Sequence, residues 1–335
     1  MRAPEFWAAP PGVAARLLAP LAALWGVAAH RRQRGAGRGA RVPVPVACVG
    51  NLVAGGAGKT PVVLSLAALA AARGVRAQVV TRGYGGRLAG PLCVDSACHD
   101  AAMVGDEALL LAAAAPCWLA RNRAAGVRAA ADAGAELVLL DDGFQDPAIA
   151  KDLSLLVIDA AYGFGNFRLI PAGPLREPVA AGLARADAIV LIGPGEPPPA
   201  VRASGLPILR AQLQPLHGER FAGARVIAFA GIGRPEKFFA GLAALGATLA
   251  AAHPFPDHHR YRPAELDRLR REAAAADARL VTTAKDRVRL PAALRTGIET
   301  LDIELRWDDP AMIIGMLSRL SPALSDGYDR RAAGG

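Results

Sequence analysis

Aromatic residues make up only 5% of this chain, although hydrophobic residues make up 53% of its 335 residues. Much of the apolar content is alanine, so a buried core has to be packed from Ala, Leu and Val rather than from large rings. That composition suits helices that pack closely against parallel strands. The length exceeds what one simple domain needs and is sufficient for two.

Cysteine is also scarce, and the chain contains only Cys48, Cys93, Cys98 and Cys117. So few cysteines in a chain of this length do not form the framework of a small disulfide-stabilised domain. Cys93, Cys98 and His99 lie close together, but no second pair of ligands follows at the spacing of a zinc site. The pattern favours free thiols in a reducing compartment.

Acidic residues are outnumbered by basic ones, which gives the chain a formal net charge of +9. A basic surface indicates an anionic partner, and this class includes nucleic acid, an anionic membrane and a phosphorylated substrate. For nucleic acid, the chain lacks a recognised binding motif and the interleaved aromatic residues that stack on bases. We therefore expect no nucleic-acid partner.

The N-terminal segment, residues 1–41, combines an apolar stretch at 17–29 with a cluster of arginines. The stretch is too short to span a bilayer, which takes about 20 residues, and its positive charge follows it, unlike in a secretory signal. The arginines are Arg16, Arg31, Arg32, Arg34, Arg38 and Arg41. An apolar helix with Trp7 and Trp25 beside basic residues is typical of a membrane interface, where each basic side chain contributes about 1 kcal/mol. A helix buried against the domain is the alternative.

Short apolar strands alternate with helices from residue 44 onward, which predicts βαβ units and a mostly parallel sheet. A segment rich in Pro and Gly at 193–199 marks a break, and a second unit begins near residue 225. Ligands of such sheets bind at the carboxyl ends of the strands. The predicted division is a first domain at 42–206, a linker at 207–224, a smaller α/β domain at 225–322 and a tail at 323–335.

A glycine-rich segment, GNLVAGGAGKT at residues 50–60, lies between a predicted strand and a predicted helix. In that context backbone N–H groups turn inward on phosphate, and the helix N-terminus adds its positive dipole. Lys59 is expected to neutralise the β- and γ-phosphates, and the Thr60 hydroxyl to bind Mg²⁺. Val53 occupies the first glycine position of the strict pattern G-x-x-x-x-G-K-[ST]. The predicted nucleotide cradle is formed by Gly55, Gly56, Ala57, Gly58, Lys59 and Thr60.

A second phosphate-site element follows the apolar run at 137–140, which ends in Asp141 and Asp142. In P-loop proteins an aspartate at this position reaches Mg²⁺ directly or through water. A single Asp at a strand end is often only a cap, but two in succession downstream of a P-loop favour binding of metal and nucleotide. The predicted fold is therefore an α/β protein of the P-loop NTPase type, with a mostly parallel sheet flanked by helices, a second smaller α/β domain and an N-terminal membrane-interface helix.

Further motifs follow in order along the chain. They read TRGYGG at 81–86, VGDE at 104–107, DDGFQ at 141–145, IPAGPLREP at 170–178, FPDHHRY at 255–261 and TTAKD at 282–286. Together with the P-loop they resemble the tetraacyldisaccharide 4′-kinase family, the lipid A 4′-kinases, over about residues 44–290. The chain departs from the family pattern at Asp146, where His is usual, and at Ala284, where Glu is common.

The resemblance implies a kinase that transfers the γ-phosphoryl group of ATP to the 4′-hydroxyl of a tetraacyl glucosamine disaccharide 1-phosphate, which gives lipid IVA. ATP and Mg²⁺ are the implied cofactors. The implied partners are this lipid A disaccharide precursor and the anionic surface of a bacterial inner membrane. The enzyme is expected to act at the cytoplasmic face as a peripheral or monotopic monomer.

The resemblance also implies roles for single residues. In similar enzymes a carboxylate and a histidine form the base for the acceptor hydroxyl, and the matching residues here are Asp106 and His258, with Lys59 completing the catalytic set. The metal ligands are expected to be Thr60, Asp142 and Glu107, and the substrate contacts Arg82, Tyr84, Arg176 and Glu177. From the residues alone other interpretations stay open, including a structural ion pair of Arg176 with Glu177. Asp106 begins a helix, where the dipole favours acids, and His258 and His259 fit a solvated turn after Pro256 or a metal site with Asp257.

A P-loop NTPase that acts as a switch, such as a metallochaperone GTPase, is the competing interpretation. It shares the Gly-Gly-x-Gly-Lys-Thr loop with this chain. It would need a guanine-specificity motif, and the sequence contains no Asn-Lys-x-Asp. It also leaves Asp257, His258 and His259 without a role.

Overall fold

The computed structural model describes residues 4–33 and 39–324, so Arg34, Arg38 and the tail from residue 325 lie outside the described residues. Within those ranges the strands are β1 (Val46–Gly50), β2 (Ala77–Thr81), β3 (Leu92–Cys93), β4 (Cys117–Leu119), β5 (Leu137–Asp141), β6 (Leu153–Asp159), β7 (Ala188–Ile192), β8 (Ile208–Leu216), β9 (Arg225–Ala230), β10 (Thr248–Pro254), β11 (Arg279–Thr283) and β12 (Ile298–Trp307). The α-helices are α1 (Val13–Leu17), α2 (Ala19–Gln33), α3 (Lys59–Ala71), α4 (Ala101–Val104), α5 (Asp106–Ala112), α6 (Arg123–Asp132), α7 (Val179–Leu183), α8 (Pro199–Ala203), α9 (Pro235–Ala244), α10 (Pro263–Ala275), α11 (Ala284–Arg287) and α12 (Pro310–Ser318).

The predicted fold class is confirmed, because the strands form one mostly parallel sheet in the order β10-β9-β11-β12-β8-β7-β6-β1-β5-β2-β4-β3. In the described part of the chain only the β12–β8 and β3–β4 pairs are antiparallel. The runs predicted at 153–159 and 188–192 coincide with β6 and β7. Both runs are almost continuously apolar and buried, as central strands of a parallel sheet are.

The first block of the sheet comprises β1 to β8, with β1 between β5 and β6. Successive side chains of β5 enter different cores: Leu139 packs with Leu66 of α3 on one face, and Leu140 packs with Val127 of α6 on the other. This alternation follows from the pleat of the strand. The P-loop strand β1 is therefore held at the centre of a sheet that is packed on both faces.

The second block comprises β9 to β12 and has its own pair of cores. Phe238 and Leu242 of α9 pack against one face, and Leu266 and Leu269 of α10 pack against the other, where Phe229 of β9 meets them. Each block therefore has the layered construction of an α/β unit.

The β8–β12 pair joins the two blocks. Residues 298–301 of β12 pair in parallel with β11, whereas residues 302–307 pair antiparallel with β8. The first part of β8, residues 208–211, pairs in parallel with β7. The C-terminal part of β8 extends beyond the end of β7, and the C-terminal part of β12 extends beyond the end of β11. Because these two extensions pair antiparallel with each other, the carboxyl ends of the parallel strands in each block point towards the other block.

The last helix, α12, packs on the first block although it follows the second in sequence. Its residues Ile313 and Leu317 lie in the same core as Leu66. Trp307, at the end of β12, donates from Nε1 to the hydroxyl of Ser65 on α3 at 2.8 Å. The expected linker at 207–224 includes β8, and the division into domains by residue number stays a prediction.

The N-terminal helices contact the first block through small residues and expose larger ones. Ala15 and Ala22 are buried, whereas Leu17, Leu21 and Leu24 are 75%, 54% and 68% exposed. Leu21 and Leu24 have the spacing of one face of α2, and Leu17 is the last residue of α1. No helix in the described ranges is long and apolar enough to cross a membrane.

Candidate active site

The glycine-rich loop leads from β1 into α3, and its geometry explains why Val53 replaces a glycine. Val53 is buried and forms an isolated β-bridge with Leu175, so its side chain belongs to the core. The tight position is instead Gly50, where a Cβ would lie 2.3 Å from the Cβ of Phe144. Gly58 has φ of 88° and directly precedes α3, a conformation that glycine adopts without strain.

The Lys59 side chain is held by two contacts beside this loop. Its Nζ lies 3.2 Å from Oδ1 of Asn51 and 3.5 Å from Oδ1 of Asp142. Asn51 is fully buried and donates from Nδ2 to the carbonyl of Val53 at 2.8 Å. Asn51 therefore fixes both the loop and the lysine, a role that the sequence analysis did not assign to it.

Asp142 lies between two basic side chains. Nη1 of Arg176 lies 2.8 and 3.0 Å from the two carboxylate oxygens of Asp142, and Lys59 approaches the same Oδ1. Burial acts to raise the pKa of Asp142, but Lys59 and Arg176 outweigh it and lower the pKa to about 2. Asp142 is therefore ionised at neutral pH, and Arg176 pairs with it rather than with Glu177.

Asp141 is in a different electrostatic state from its neighbour. It is 2% exposed, its Oδ2 accepts a 3.0 Å bond from the Thr81 hydroxyl, and its Oδ1 is buried without a partner among the described residues. Burial, together with the nearby carboxylates of Glu107 and Asp142, raises its pKa to about 7. A buried, unpartnered carboxylate oxygen beside two further carboxylates fits a cation that arrives with a nucleotide.

The described residues contain no group of three His, Cys, Asp or Glu side chains arranged to hold a metal ion by themselves. Magnesium in phosphoryl-transfer sites is usually held by one or two carboxylates, with phosphate oxygens and water completing its shell. The Asp141–Asp142 pair and the Thr60 hydroxyl near the start of α3 are donors of that kind.

Asp106 and His258 meet across the gap between the blocks. Oδ2 of Asp106, at the start of α5, lies 3.1 Å from Nδ1 of His258, which follows β10. Asp106 is 4% exposed, whereas the His258 side chain is 33% exposed. Burial raises the pKa of Asp106, but the bond to His258 and the charges of Lys285 and Arg289 lower it well below the ordinary range.

The helix-start interpretation of Asp106 is compatible with this pairing, because α5 does begin at Asp106 and its Oδ1 accepts the Glu107 N–H at 3.0 Å. His258 is not in a freely solvated turn. It has φ of 59°, a conformation that costs energy in any residue with a Cβ, and its N–H lies 3.0 Å from the carbonyl of Gly231. The backbone conformation and hydrogen bond of His258 thus hold its imidazole next to Asp106.

The other predicted residues fall into two groups. Arg82 and Tyr84 are exposed after β2, and the Tyr84 ring centre lies 5.7 Å from that of His258. Glu177 is 2% exposed, and its carboxylate oxygens accept bonds of 2.8 and 2.7 Å from Arg185. Tyr84 therefore lies beside His258, whereas the buried Glu177 carboxylate is occupied by Arg185.

Glu107 pairs with a residue of the second block that the sequence analysis did not single out. Nζ of Lys285 lies 3.1 Å from Oε1 of Glu107. Burial lowers the pKa of Lys285, but Glu107 and Asp106 raise it overall, so the ammonium is charged. Lys285 belongs to the TTAKD motif, which contributed to the family resemblance but to which no role was assigned from the sequence.

The model of one protein family, described as tetraacyldisaccharide-1-P 4′-kinase, matches residues 14–321. The chain belongs to this family. The family resemblance and the predicted enzyme class, a phosphotransferase, are thereby confirmed.

Members of the 4′-kinase family from several bacteria match the chain over nearly its whole length. The tetraacyldisaccharide 4′-kinase of Rhodospirillum centenum is 57% identical over 98% of both chains. That of Paramagnetospirillum magneticum is 53% identical over 96% of this chain and 99% of its own. A crystal structure of LpxK from Aquifex aeolicus in complex with ATP superposes with a TM-score of 0.75 at 26% identity, covering 91% of this chain and 99% of that one.

Proposed function

We propose that this chain transfers the γ-phosphoryl group of ATP to the 4′-hydroxyl of a tetraacyl glucosamine disaccharide 1-phosphate and so forms lipid IVA. The observation that carries the proposal is that His258, which follows β10 in the second block, lies 3.1 Å from Asp106 in the block that also carries the P-loop. A switch NTPase of the metallochaperone kind needs no such pair across from its nucleotide loop. The kinase interpretation uses every part of this arrangement.

The donor phosphates are held by the loop from Gly55 to Thr60. The backbone N–H groups and the start of α3 supply positive potential, and Lys59 neutralises the β- and γ-phosphates. We assign Mg²⁺ to the Thr60 hydroxyl and Asp142, with Asp141 and Glu107 beside them. When bound, the ion offsets the charge that develops on the phosphate oxygens.

On the acceptor side, His258 is held with Nδ1 towards Asp106, so Nε2 is the nitrogen available to the substrate. The 4′-oxygen bonds to the γ-phosphorus, the bond from that phosphorus to the β–γ bridging oxygen breaks, and ADP leaves. The hydroxyl proton passes to the His258–Asp106 pair, whose carboxylate stabilises the charged imidazole. Phosphoryl transfer depends mainly on positioning, so the closeness of the blocks matters as much as the base.

The lipid substrate is recognised by its phosphate and by the membrane in which it lies. Arg82 and Arg176 are the proposed contacts for the 1-phosphate, because a guanidinium fork matches phosphate geometry. The exposed face of α1 and α2 is proposed to dock at the cytoplasmic face of the inner membrane, with Arg31 and Arg32 among anionic headgroups. Phe167 is 56% exposed, and the neighbouring Asn166 donates its N–H to the carbonyl of Trp7 in the N-terminal segment at 2.8 Å. We propose that the enzyme acts as a monomer.

The test is transfer of label from γ-labelled ATP to the tetraacyl disaccharide 1-phosphate in detergent micelles with Mg²⁺. Lys59→Ala should abolish lipid labelling. Lys151→Ala is the matched control, because Nζ of Lys151 donates to the backbone carbonyl of Asp146 and has no predicted contact with nucleotide. ATP hydrolysis without lipid labelling in the wild type would overturn the proposal and favour the NTPase switch.

A further inference from the structure

Arg289 is a buried arginine to which neither the motifs nor the proposed reaction gives a role. Only 4% of its side chain is exposed. Its Nε and Nη2 both donate to Oδ2 of Asp106, and the Nε bond is 2.7 Å long. Its Nη1 donates to Oδ1 of Asp286 at 2.9 Å and to the carbonyl of Gly231 at 2.5 Å. One guanidinium thus joins a carboxylate of the first block to a carboxylate of the second.

Asp286 is itself fixed from several sides. It is fully buried, and its Oδ1 accepts bonds from the Tyr261 hydroxyl at 2.9 Å and from the Gly231 N–H at 3.0 Å. Its Oδ2 lies 2.7 Å from the Thr283 hydroxyl. Burial and the neighbouring Asp286 raise the pKa of Tyr261, so its hydroxyl keeps the proton that it donates. These side chains hold the Asp286 carboxylate in place within the second block, and that carboxylate in turn binds Arg289.

The contacts around Asp286 give a structural role to residues of two motifs that do not take part directly in phosphoryl transfer. Tyr261 closes the FPDHHRY motif, which also carries His258, and Thr283 and Asp286 belong to TTAKD. Arg289 lies three residues beyond Asp286. The two motifs therefore meet at the Asp286 carboxylate that binds this guanidinium, and TTAKD also supplies Lys285, which pairs with Glu107.

Asp106 depends on Arg289 for its orientation. Its Oδ1 accepts the N–H of Glu107, and its Oδ2 accepts bonds from Arg289 and lies 3.1 Å from Nδ1 of His258. Two donors of a planar guanidinium fix the position of a carboxylate more closely than one imidazole bond does. The direction in which the imidazole points is in turn set by the carboxylate that it contacts.

We infer that Arg289 is a positioning residue for phosphoryl transfer: it is fixed by Asp286 in the second block and fixes Asp106 in the first, so that Asp106 holds His258 towards the acceptor. The inference rests on the proposed function, because it gives Arg289 a task only if Asp106 and His258 form the base. Arg289 acts through Asp106, its Nη2 also lies 3.4 Å from Nδ1 of His258, and it touches neither substrate nor nucleotide in this assignment.

Arg289→Met and Arg289→Lys test the inference in the full-length enzyme. We expect Arg289→Met to lower kcat by about 100-fold, since misplacement of a catalytic group by about 1 Å costs that much. Lysine can pair with one carboxylate but cannot bridge both, so Arg289→Lys should recover only part of the loss. The KM for ATP should change by less than about threefold, because the lost interaction serves the reaction rather than ATP binding.

Arg287→Met is the matched control. Arg287 lies on α11 and donates from Nη1 to the backbone carbonyls of Ile298 and Arg295, at 2.5 and 3.4 Å. Its replacement should lower the melting temperature and leave kcat within about twofold of the wild type. This comparison separates the loss of a partly buried arginine from the loss of this particular contact.

Combination with His258→Ala provides the decisive readout. If Arg289 acts through the Asp106–His258 pair, Arg289→Lys should lower kcat no further once His258 is gone, because the two changes affect one unit. Folded Arg289 variants with wild-type kcat, or effects that add fully to that of His258→Ala, would overturn the inference. If Arg289→Met does not fold, Arg289→Lys decides by the same criteria.

The same assay distinguishes failure of the proposed function. A wild-type enzyme that does not label the lipid, or a His258→Ala variant with normal turnover, would remove the proposed base and the inference with it. Impaired His258→Ala together with normal Arg289 variants would leave the proposed function standing and remove only the role of Arg289.

Discussion

The indole N–H of Trp25 donates a 2.9 Å hydrogen bond to the backbone carbonyl of Arg176. The side chain of the same arginine binds both carboxylate oxygens of Asp142. The helix with the exposed leucines is therefore separated from a proposed metal ligand by a single residue. A hydrogen bond and an ion pair thus connect α2 to Asp142 through Arg176, so we expect a displacement of α2 to disturb the phosphate site.

Trp25→Phe tests this link, because phenylalanine keeps a ring in place and removes the donor. A typical hydrogen bond contributes about 1 kcal/mol, so we expect the KM for the lipid to rise by up to about fivefold with little change in the KM for ATP. Steady-state kinetics in mixed micelles would measure both constants. Trp118→Phe is the control, since Trp118 donates to the side chain of Gln78 at 2.7 Å within the sheet. Equal lipid KM values in the two variants would contradict the link.

Replacing Leu17, Leu21 and Leu24 together with serine should weaken binding to vesicles that contain anionic lipid. Burying a leucine side chain is worth about 1.5–3 kcal/mol, so the partition coefficient should fall by more than about 100-fold if all three insert. Cosedimentation with vesicles measures it. The control is a triple serine variant of Leu213, Leu216 and Ile303, which are also exposed but lie on β8 and β12. If both triple variants bound vesicles like the wild type, the proposed docking face would be wrong.

The pH dependence of stability should report the state of Asp142. Its pKa is lowered from 3.8 to about 2, so its ionised form stabilises the folded enzyme above about pH 4, and this contribution is lost as the pH falls through 2. A shift of that size corresponds to about 2 kcal/mol. Asp142→Asn should therefore be less stable than the wild type at neutral pH, and the difference should shrink towards pH 2. Urea unfolding of ligand-free protein at several pH values would measure it, and a constant difference across this range would contradict the assignment.

Several elements were predictable from the sequence because local physics decides them. The strand at 153–159 is an apolar run with both faces buried, and α10 starts at a proline in its first turn and shows helical spacing of its leucines. The P-loop was recognisable even without its first glycine, because the strand and helix on either side of it supply the context. Val53 departs from the pattern for a packing reason that appears only when Leu175 is placed beside it.

The arrangement of the two blocks could not be read from the sequence, because it depends on pairing between strands far apart in the chain. Nothing in residues 298–307 indicates that one half pairs with β11 and the other half with β8. The proximity of Asp106 and His258 came from the family resemblance and not from spacing, since 152 positions separate them. Arg289 has no motif of its own, and its significance depends on Asp106, 183 positions earlier. Residue roles at the site beyond these contacts stay predictions.

The register of the β8–β12 pair also sets how far apart the two blocks lie. Each strand residue advances the chain by about 3.3 Å, so a shift of two residues in the register of 211–216 against 302–307 would slide one block past the other by about 7 Å. That shift would keep every side chain on its own face of the sheet, yet it would draw His258 out of reach of Asp106. The spacing of the two halves of the site is thus encoded as a number of residues in a pair of strands that contains none of the residues proposed to react.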